Sequence, residues 1–289
     1  MILSEEEYKK LWESGLYNTD YNNCRFSEDK IKYGIEWLKA RDEEINIESP
    51  QTLQDRICYN KFYDKDIRKQ KWSDKINVLN ELKNIGLEEL IIKPILVKRG
   101  KLTFNDIKDI PNGKYILKCN HGSGWNFVFN KTDSFNPSYM IDVVNEWLEL
   151  NFTYISGYEW QYENIKPGFI IQEYLGNLLD WNFWCEKGEI KYVHLVKKIS
   201  KNLEEFIAST DGDGNVPDKW VGNKPLSSEL NKRQKEILNI MKPYVLKLCS
   251  DYKFVRVDLY YVNNKVYFGE LTFTPCSGLI KFLTVNKEK

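Results

Sequence analysis

Two acidic residues in β-rich stretches near the C-terminus could together hold a divalent cation. Asp258 lies in the apolar run 255–260 and Glu270 in the run 266–271, with a turn at residues 262–265 between them. If the two runs pair as a hairpin, both carboxylates can point from one face of the sheet. Burying them is costly unless a cation compensates, and two oxygen ligands with room for water and phosphate suit Mg²⁺. The alternative is a hairpin whose acids face solvent or pair with lysine and arginine.

A lysine beside a glycine-rich turn is a candidate phosphate-binding feature. Lys118 lies in the predicted strand 115–119, directly before the turn 120–124, which contains His121. An ammonium and several backbone N–H groups at such a turn can face a polyphosphate. The pattern is neither a Walker A sequence nor GxGxxG, so a plain hairpin turn is the alternative. His121 could donate to a phosphate, act as a nucleophile, or only orient the loop.

A further pair of acids could recognise a nucleoside. Glu173 lies near the end of the apolar strand predicted at 169–175, and Asp180 follows it after the break at Gly176. An acceptor side chain with backbone edge groups suits adenine, and a second acid suits ribose hydroxyls. The alternative is two surface acids that flank a loop.

Composition and charge argue against several classes of function. The chain has 289 residues with 42 basic and 42 acidic side chains, so it lacks the basic excess of a nucleic-acid or anionic-membrane surface. No apolar stretch approaches the ~20 residues of a membrane span, and the N-terminus resembles no signal peptide. The six cysteines show no CxxC spacing, and two histidines disfavour a histidine-based zinc site. We therefore expect a cytoplasmic protein with reduced thiols, without nucleic-acid partners or membrane insertion.

Hydrophobic periodicity predicts an α+β protein with three regions. Residues 1–110 are predicted to be a mostly helical N-terminal subdomain, with one helix beginning near Ser73. Residues 111–175 follow the order strand, glycine turn, strand, helix, strand, which indicates a compact central subdomain. Residues 176–289 are predicted to contain strands, a polar loop at 210–224, a long helix and the acidic hairpin.

The order of these motifs resembles the ATP-grasp superfamily, and in particular the teichuronopeptide-biosynthesis type found with bacterial surface-polysaccharide genes. The similarity covers roughly residues 49 to 280. The segments that carry it are 49–55, 73–75, 115–124, Glu159, Tyr162, 171–175, 256–260 and 268–272. The resemblance implies an ATP-grasp fold, in which ATP is held between two α+β subdomains, preceded by a mainly helical N-terminal region.

The resemblance also implies which residues bind ATP. These are Lys75 and Lys118 at the phosphates, Ser123 and Gly124 in the loop that closes over the triphosphate, Glu173, Tyr174 and Leu175 at adenine, and Asp180 at the ribose. His121, inside the same turn, is predicted to belong to this nucleotide-binding set.

At the hairpin, the resemblance implies that Asp258 and Glu270 are the Mg²⁺ ligands. Arg256, two residues before Asp258, is implied to stabilise negative charge on an acyl phosphate or tetrahedral intermediate. The sequence departs from the family pattern at Thr272, where many members have asparagine, so a second Mg²⁺ would be held less tightly. Lys197 stands where relatives often have arginine and is a second catalytic candidate.

The activity implied by the resemblance is ATP-dependent ligation of a carboxylate to an amine. The expected substrates are a uronic-acid carboxylate of a nucleotide-sugar or polysaccharide precursor, and an amino acid or small amine. Two other functions remain open: a phosphotransferase that acts on an amino-acid side chain or sugar, and a non-catalytic nucleotide-binding protein. The retained Lys75, Lys118, Asp258 and Glu270 argue against the non-catalytic alternative, and the oligomeric state stays open.

Overall fold

A computed structural model describes residues 28–176, 178–200, 203–217, 219–221, 229–280 and 282–284. The chain divides into two compact units. The first comprises residues 66–176 with the described residues up to Gly34, and the second comprises residues 35–65 with the described residues from 178 onward. The division into regions 1–110, 111–175 and 176–289 stays a prediction about how the family fold is organised.

A four-stranded antiparallel sheet forms the centre of the first unit. Its strands are β1 (Pro94–Arg99), β2 (Gly113–Cys119), β3 (Asn126–Lys131) and β4 (Gly168–Glu173), in the order β1-β4-β2-β3. The helices are α3 (Arg68–Ser73), α4 (Val78–Asn84), α5 (Phe104–Lys108), α6 (Ser138–Glu149) and α7 (Phe152–Ile155), with 3₁₀ turns at Glu88–Leu90 and Trp160–Tyr162. Helix α1 (Lys30–Lys39) begins in this unit and ends in the second.

One face of this sheet is covered by α6. Met140, Val144 and Trp147 recur at helical spacing and are buried against Leu117 and Phe169 of the sheet. Lys118 alternates with the buried residues of β2, so it lies on the other sheet face.

A five-stranded antiparallel sheet forms the centre of the second unit. Its strands are β5 (Leu179–Glu186), β6 (Glu189–Ser200), β7 (Leu203–Thr210), β9 (Phe254–Val262) and β10 (Lys265–Thr272), in the order β10-β9-β5-β6-β7. The other elements are α2 (Leu53–Tyr63), α8 (Lys232–Cys249), the 3₁₀ turn Pro275–Gly278, and a small sheet of β8 (Lys219–Val221) with β11 (Phe282–Thr284). Along β5 and β9, residues on one face are apolar and buried, among them Phe183, Val257 and Leu259.

The structure differs from the sequence expectation in three elements. Strand β8 lies within residues 210–224, which were predicted to form a loop. Helix α2 was not predicted, although Thr52 and Asp55 form a capping box at its start. The helix expected near Ser73 begins only at Val78, because the Asp74 side chain accepts the N–H of Ile76 and holds a turn there.

Among the residues that the structure describes, no helix is long and apolar enough to cross a bilayer.

Candidate active site

A β-bulge at Gly269 brings the two predicted metal ligands to one face of the hairpin. Asn263 and Asn264 both have positive φ angles, 50° and 60°, as a tight two-residue hairpin turn requires. Regular pairing from this turn would place Glu270 opposite Val257, on the wrong face. The register instead shifts between Phe268 and Glu270, so that Glu270 lies opposite Asp258.

Only glycine fits at the bulge. A Cβ atom on Gly269 would lie 2.8 Å from the carbonyl oxygen of Asp258 and 3.0 Å from the Tyr260 ring. The backbones of β9 and β10 therefore approach each other at this point, which is a common reason for glycine inside a strand.

Arg256 forms the centre of a charged cluster on this face. Its Nε and Nη2 donate to Asp258 Oδ1 and Oδ2 at 2.7 and 2.6 Å, a bidentate ion pair. The same Nη2 lies 3.4 Å from Glu270 Oε1 and 3.2 Å from Thr272 Oγ1, and the Thr272 hydroxyl donates to Glu270 Oε1 at 3.0 Å. One guanidinium thus connects both predicted metal ligands and the position that departs from the family pattern.

Burial and charge shift the pKa values of this cluster. Burial raises the pKa of Asp258 to about 6, against the opposing effect of Arg256, while the negative charges of Glu270 and Asp180 raise it further. For Arg256, burial lowers the pKa, but Asp258 and Glu270 outweigh it and raise that pKa above its ordinary value. The guanidinium is therefore charged at neutral pH, and its charge favours the ionised form of Asp258, which burial disfavours.

Strand β5 adds two polar residues to the same face. Asn182 lies directly opposite Asp258, and Asp180, which is buried, lies two residues before Asn182. Lys197 is not brought to this face, since it pairs with Leu179 and alternates with Val196, the partner of Asp180. The second unit therefore gathers Asp180, Arg256, Asp258 and Glu270 but not Lys197.

In the first unit, Lys75 contacts the turn that follows Lys118. The Nζ atom of Lys75 donates to the carbonyl oxygen of Gly122 at 2.5 Å, and its backbone N–H donates to Asn120 at 3.2 Å. Ser123 and Gly124 are exposed at the tip of this turn, and Gly124 has a φ of 76°. The structure thus brings the predicted phosphate ligand Lys75 to the glycine turn.

Inside the same turn, His121 is buried rather than exposed. It is 2% exposed, its Nε2 lies 3.2 Å from the Trp147 carbonyl oxygen, and its ring lies 5.0 Å from the Trp125 ring. Burial lowers its pKa to about 4 and the charge of Lys75 adds to that effect, although the Trp147 carbonyl opposes it. The imidazole is therefore neutral at pH 7, in a place that suits orienting the loop.

This burial predicts a pH dependence of stability. Between pH 6.5 and 4 the unfolded chain binds a proton at His121 that the folded protein does not, so folding stability falls as the pH drops through this window. Between pH 7 and 5 the loss from this histidine is about 2 kcal/mol. We expect urea unfolding of His121→Gln to show a correspondingly smaller loss than the wild type. An equal loss in both proteins would place His121 in solvent, where it could act on phosphate.

The predicted adenine-binding residues lie at the end of β4. Glu173 is exposed and pairs with Tyr115, which precedes Lys118 by three residues of β2, about 10 Å along the strand. The Tyr174 N–H donates to the Lys114 carbonyl at 2.9 Å, and the Lys114 ammonium lies over the Tyr174 ring. Leu175 follows as the chain leaves the sheet.

The oxygen-bearing side chains at the hairpin fit Mg²⁺ if phosphate and water supply the remaining ligands. Within the described part of the chain, no three or more His, Cys, Asp or Glu side chains are grouped to hold a metal. Mg²⁺ is commonly held by one or two carboxylates together with substrate phosphates and water. Asp258 and Glu270 supply such a pair, with Asn182 and Thr272 as neutral oxygen donors on the same face.

Sequence reasoning missed Asn182, Asp74 and Asn120. Asn182 carries no motif, and its place opposite Asp258 follows only from strand pairing. Asp74 and Asn120 both lie inside segments that carry the family resemblance, directly before Lys75 and His121. Their position beside predicted ligands was the available signal.

Comparison with known families decides the classification. The family model of TupA-like ATP-grasp proteins matches residues 52–288, which is most of the chain. The chain belongs to the TupA-like ATP-grasp family. This confirms the resemblance and the α+β ATP-grasp fold, and it includes the hairpin and the glycine turn within the matched region.

The solved structures to which this TupA-like ATP-grasp protein is similar include three ligases. D-Alanine–D-alanine ligase from Helicobacter pylori is 17% identical over 72% of this chain and 53% of its own, with a TM-score of 0.40. The Bacillus anthracis enzyme complexed with ATP is 19% identical over 70% of this chain and 55% of its own, with a TM-score of 0.37. L-Amino acid ligase from Bacillus licheniformis is 11% identical over 73% of this chain and 45% of its own, with a TM-score of 0.44. The chain spans about half the length of these proteins, and no curated protein matches it.

Proposed function

We propose that this TupA-like ATP-grasp protein is an ATP-dependent carboxylate–amine ligase that uses Mg²⁺. The observation that carries the proposal is the cluster of Arg256, Asp258 and Glu270, held on one face by the Gly269 bulge. A bulge that costs regular strand pairing and aligns two carboxylates with an arginine is expected for a functional site.

Asp258 and Glu270 would hold Mg²⁺, which neutralises phosphate charge when it is bound. A cation at this position also compensates the burial of Asp258, whose pKa of about 6 reflects the cost of ionisation there. Thr272 keeps the Glu270 carboxylate in place through its hydroxyl, 3.0 Å away. Glu270, more exposed than Asp258, is the ligand that a nucleotide complex can approach from solvent.

Arg256 would stabilise the negative charge that develops on the substrate's acyl oxygens. Attack of a substrate carboxylate on the γ-phosphorus gives an acyl phosphate and ADP, and an amine then displaces phosphate to form an amide. Both steps place negative charge on oxygen, where a fixed guanidinium is effective because it needs little reorganisation. The bidentate bond to Asp258 fixes this guanidinium before substrate arrives.

The nucleotide would contact the first unit through its phosphates and its base. Lys75, Lys118 and the exposed Ser123–Gly124 tip supply cationic and backbone donors for phosphate. Glu173, Tyr174 and Leu175 would supply the strand-end groups for adenine, and the family resemblance implies Asp180 as an acceptor for ribose. We place His121 in this set as the residue that orients the turn.

The substrates we propose are a uronic-acid carboxylate on a nucleotide-sugar or polysaccharide precursor and an amino acid or small amine. The support is the resemblance to the teichuronopeptide-biosynthesis type, which is found with surface-polysaccharide genes. Membership of the TupA-like family and the lack of a basic excess for a nucleic-acid surface agree with it. Such precursors are cytoplasmic, so the protein would act there.

The phosphotransferase alternative gains no support from the first unit. Its argument was that His121 could take part in phosphoryl transfer, and a buried, neutral imidazole bonded to a backbone carbonyl is poorly placed for that role.

A screen for ADP and phosphate release tests the proposal. Mg·ATP is incubated with pairs drawn from nucleotide-linked uronic acids and amino acids. We expect release with at least one pair, dependent on both partners. ADP release that needs only one of the two partners, with the phosphate transferred to that partner and not released, would support a kinase. Absence of Mg·ATP binding would indicate a non-catalytic protein.

A further inference from the structure

A buried polar cluster links the chain before Lys75 to the glycine turn. The Asp74 carboxylate accepts from Asn120 Nδ2 at 2.7 Å through Oδ1 and from Arg99 Nη2 at 2.6 Å through Oδ2. The same Oδ1 accepts the backbone N–H of Ile76 at 2.9 Å. Asp74 and Asn120 are 7% and 0% exposed, so these bonds are made away from bulk water, where each counts for more.

Asn120 uses both of its side-chain donors in this cluster. Besides Asp74, its Nδ2 bonds the carbonyl oxygen of Lys166 at 3.1 Å, and its backbone N–H bonds the carbonyl of Gly168 at 3.0 Å. An aspartate at position 120 could make neither side-chain bond and would set a second carboxylate beside Asp74. The site therefore requires the amide.

The consequence of these bonds is a fixed position for Lys75. Its backbone N–H donates to the Asn120 carbonyl, and its ammonium donates to the Gly122 carbonyl at 2.5 Å. Gly122 lies close against Trp125, since a Cβ atom there would lie 2.6 Å from that ring. These hydrogen bonds fix Lys75 relative to the turn, and the bond between Asp74 and Asn120 sets the orientation of both.

We propose that Asp74 and Asn120 are positioning residues for nucleotide phosphate, acting through Lys75 and the 120–124 turn. Arg99 completes the pair by neutralising Asp74 and by donating to the same Lys166 carbonyl as Asn120. This inference rests on the proposed function, because it assigns the cluster to the ATP site. It adds that phosphate affinity depends on residues that do not touch the nucleotide.

A purely structural role of this cluster would lower the stability of its variants without changing their affinity for nucleotide. The Asp74 carboxylate also holds the turn before α4, so its loss would lower stability in either case. Asp106 is a matched control in the same unit: its carboxylate is similarly buried, pairs with Lys98 at 2.6 Å and caps a short helix at Thr103. Asp106→Asn should lower stability without changing affinity for nucleotide.

The test measures the Kd for Mg·ATP by calorimetry and the melting temperature of the nucleotide-free protein. The variants are Asn120→Asp, the double swap Asp74→Asn with Asn120→Asp, and the control Asp106→Asn. We expect Asn120→Asp to raise the Kd about tenfold, as for loss of a charge-assisted hydrogen bond. The double swap should recover part of this loss, because one amide–carboxylate bond is restored with its partners exchanged.

The outcomes separate this proposal from the proposed function. Wild-type protein that binds no Mg·ATP overturns both. If the wild type binds Mg·ATP, two results overturn the positioning role alone. One is a Kd for Asn120→Asp within twofold of the wild-type Kd, and the other is a double swap that recovers none of the lost affinity. If Asn120→Asp does not fold, Arg99→Gln serves instead, since it leaves the Asp74–Asn120 bond intact. We then expect about a threefold rise in Kd, and an unchanged Kd overturns the role.

Discussion

Glu270→Gln is expected to abolish Mg²⁺-dependent ATP turnover while the fold survives. The glutamine keeps the shape and can still accept from Thr272, but it removes one of the two carboxylates on the hairpin face. The Asp258 carboxylate alone holds Mg²⁺ poorly, and loss of the metal should lower the rate of ADP release at least about a hundredfold. The measurement is ADP release against Mg²⁺ concentration, with circular dichroism to verify folding.

Asp258→Asn should have the same effect on turnover but a larger effect on stability. The buried Arg256 loses the carboxylate that receives both of its short hydrogen bonds, and the acidic partner left to it is Glu270, 3.4 Å away. Asp213→Asn is the control in the same unit, because it removes an exposed carboxylate paired with Lys242. Normal Mg²⁺ dependence in Glu270→Gln and Asp258→Asn would remove the metal assignment.

The second large effect is expected for Arg256→Lys. Lysine keeps the charge but cannot reproduce a planar fork that bonds both oxygens of Asp258 while reaching Glu270 and Thr272. We expect ATP affinity within a few-fold of wild type and amide formation reduced by about 10²–10³, the usual cost of losing one oxyanion donor. ATP affinity is measured by calorimetry, and amide formation is measured with the substrate pair found by the screen.

A different pattern would make Arg256 structural. If Arg256→Lys loses ATP binding and unfolds more easily than wild type, the guanidinium serves as a counter-ion that holds the hairpin acids together. The catalytic assignment would then fail, whereas the metal assignment to Asp258 and Glu270 would stand on its own test.

The strands and the turn of the hairpin could be predicted from the sequence, but its bulge could not. The alternating apolar residues and the Asn263–Asn264 turn predict the two strands and place an acid in each. They do not predict that both acids share a face, because regular pairing from that turn would separate them. The missing information was the bulge at Gly269, and a glycine inside a strand only hints at one.

Side-chain contacts between distant segments were the other limit. Lys75 and the glycine turn were both predicted to face phosphate. Their direct contact and the cluster of Asp74 with Asn120 depend on how residues 46 and 47 positions apart meet. His121 was predicted to belong to the nucleotide-binding set, but its role there stayed open because that role depends on its contacts with Trp125 and Trp147. Lys197 was assigned by likeness to relatives, and strand alternation places it away from the charged cluster.

The most direct test of the ligase mechanism follows ¹⁸O from the substrate carboxylate. With the substrate pair found by the screen, the carboxylate is labelled and the phosphate released is examined by mass spectrometry. A ligase that passes through an acyl phosphate transfers one ¹⁸O atom from the carboxylate to phosphate for each amide formed, which is the result we predict. Phosphate without ¹⁸O, with the displaced carboxylate oxygen recovered in water instead, would contradict the mechanism proposed for Arg256, Asp258 and Glu270.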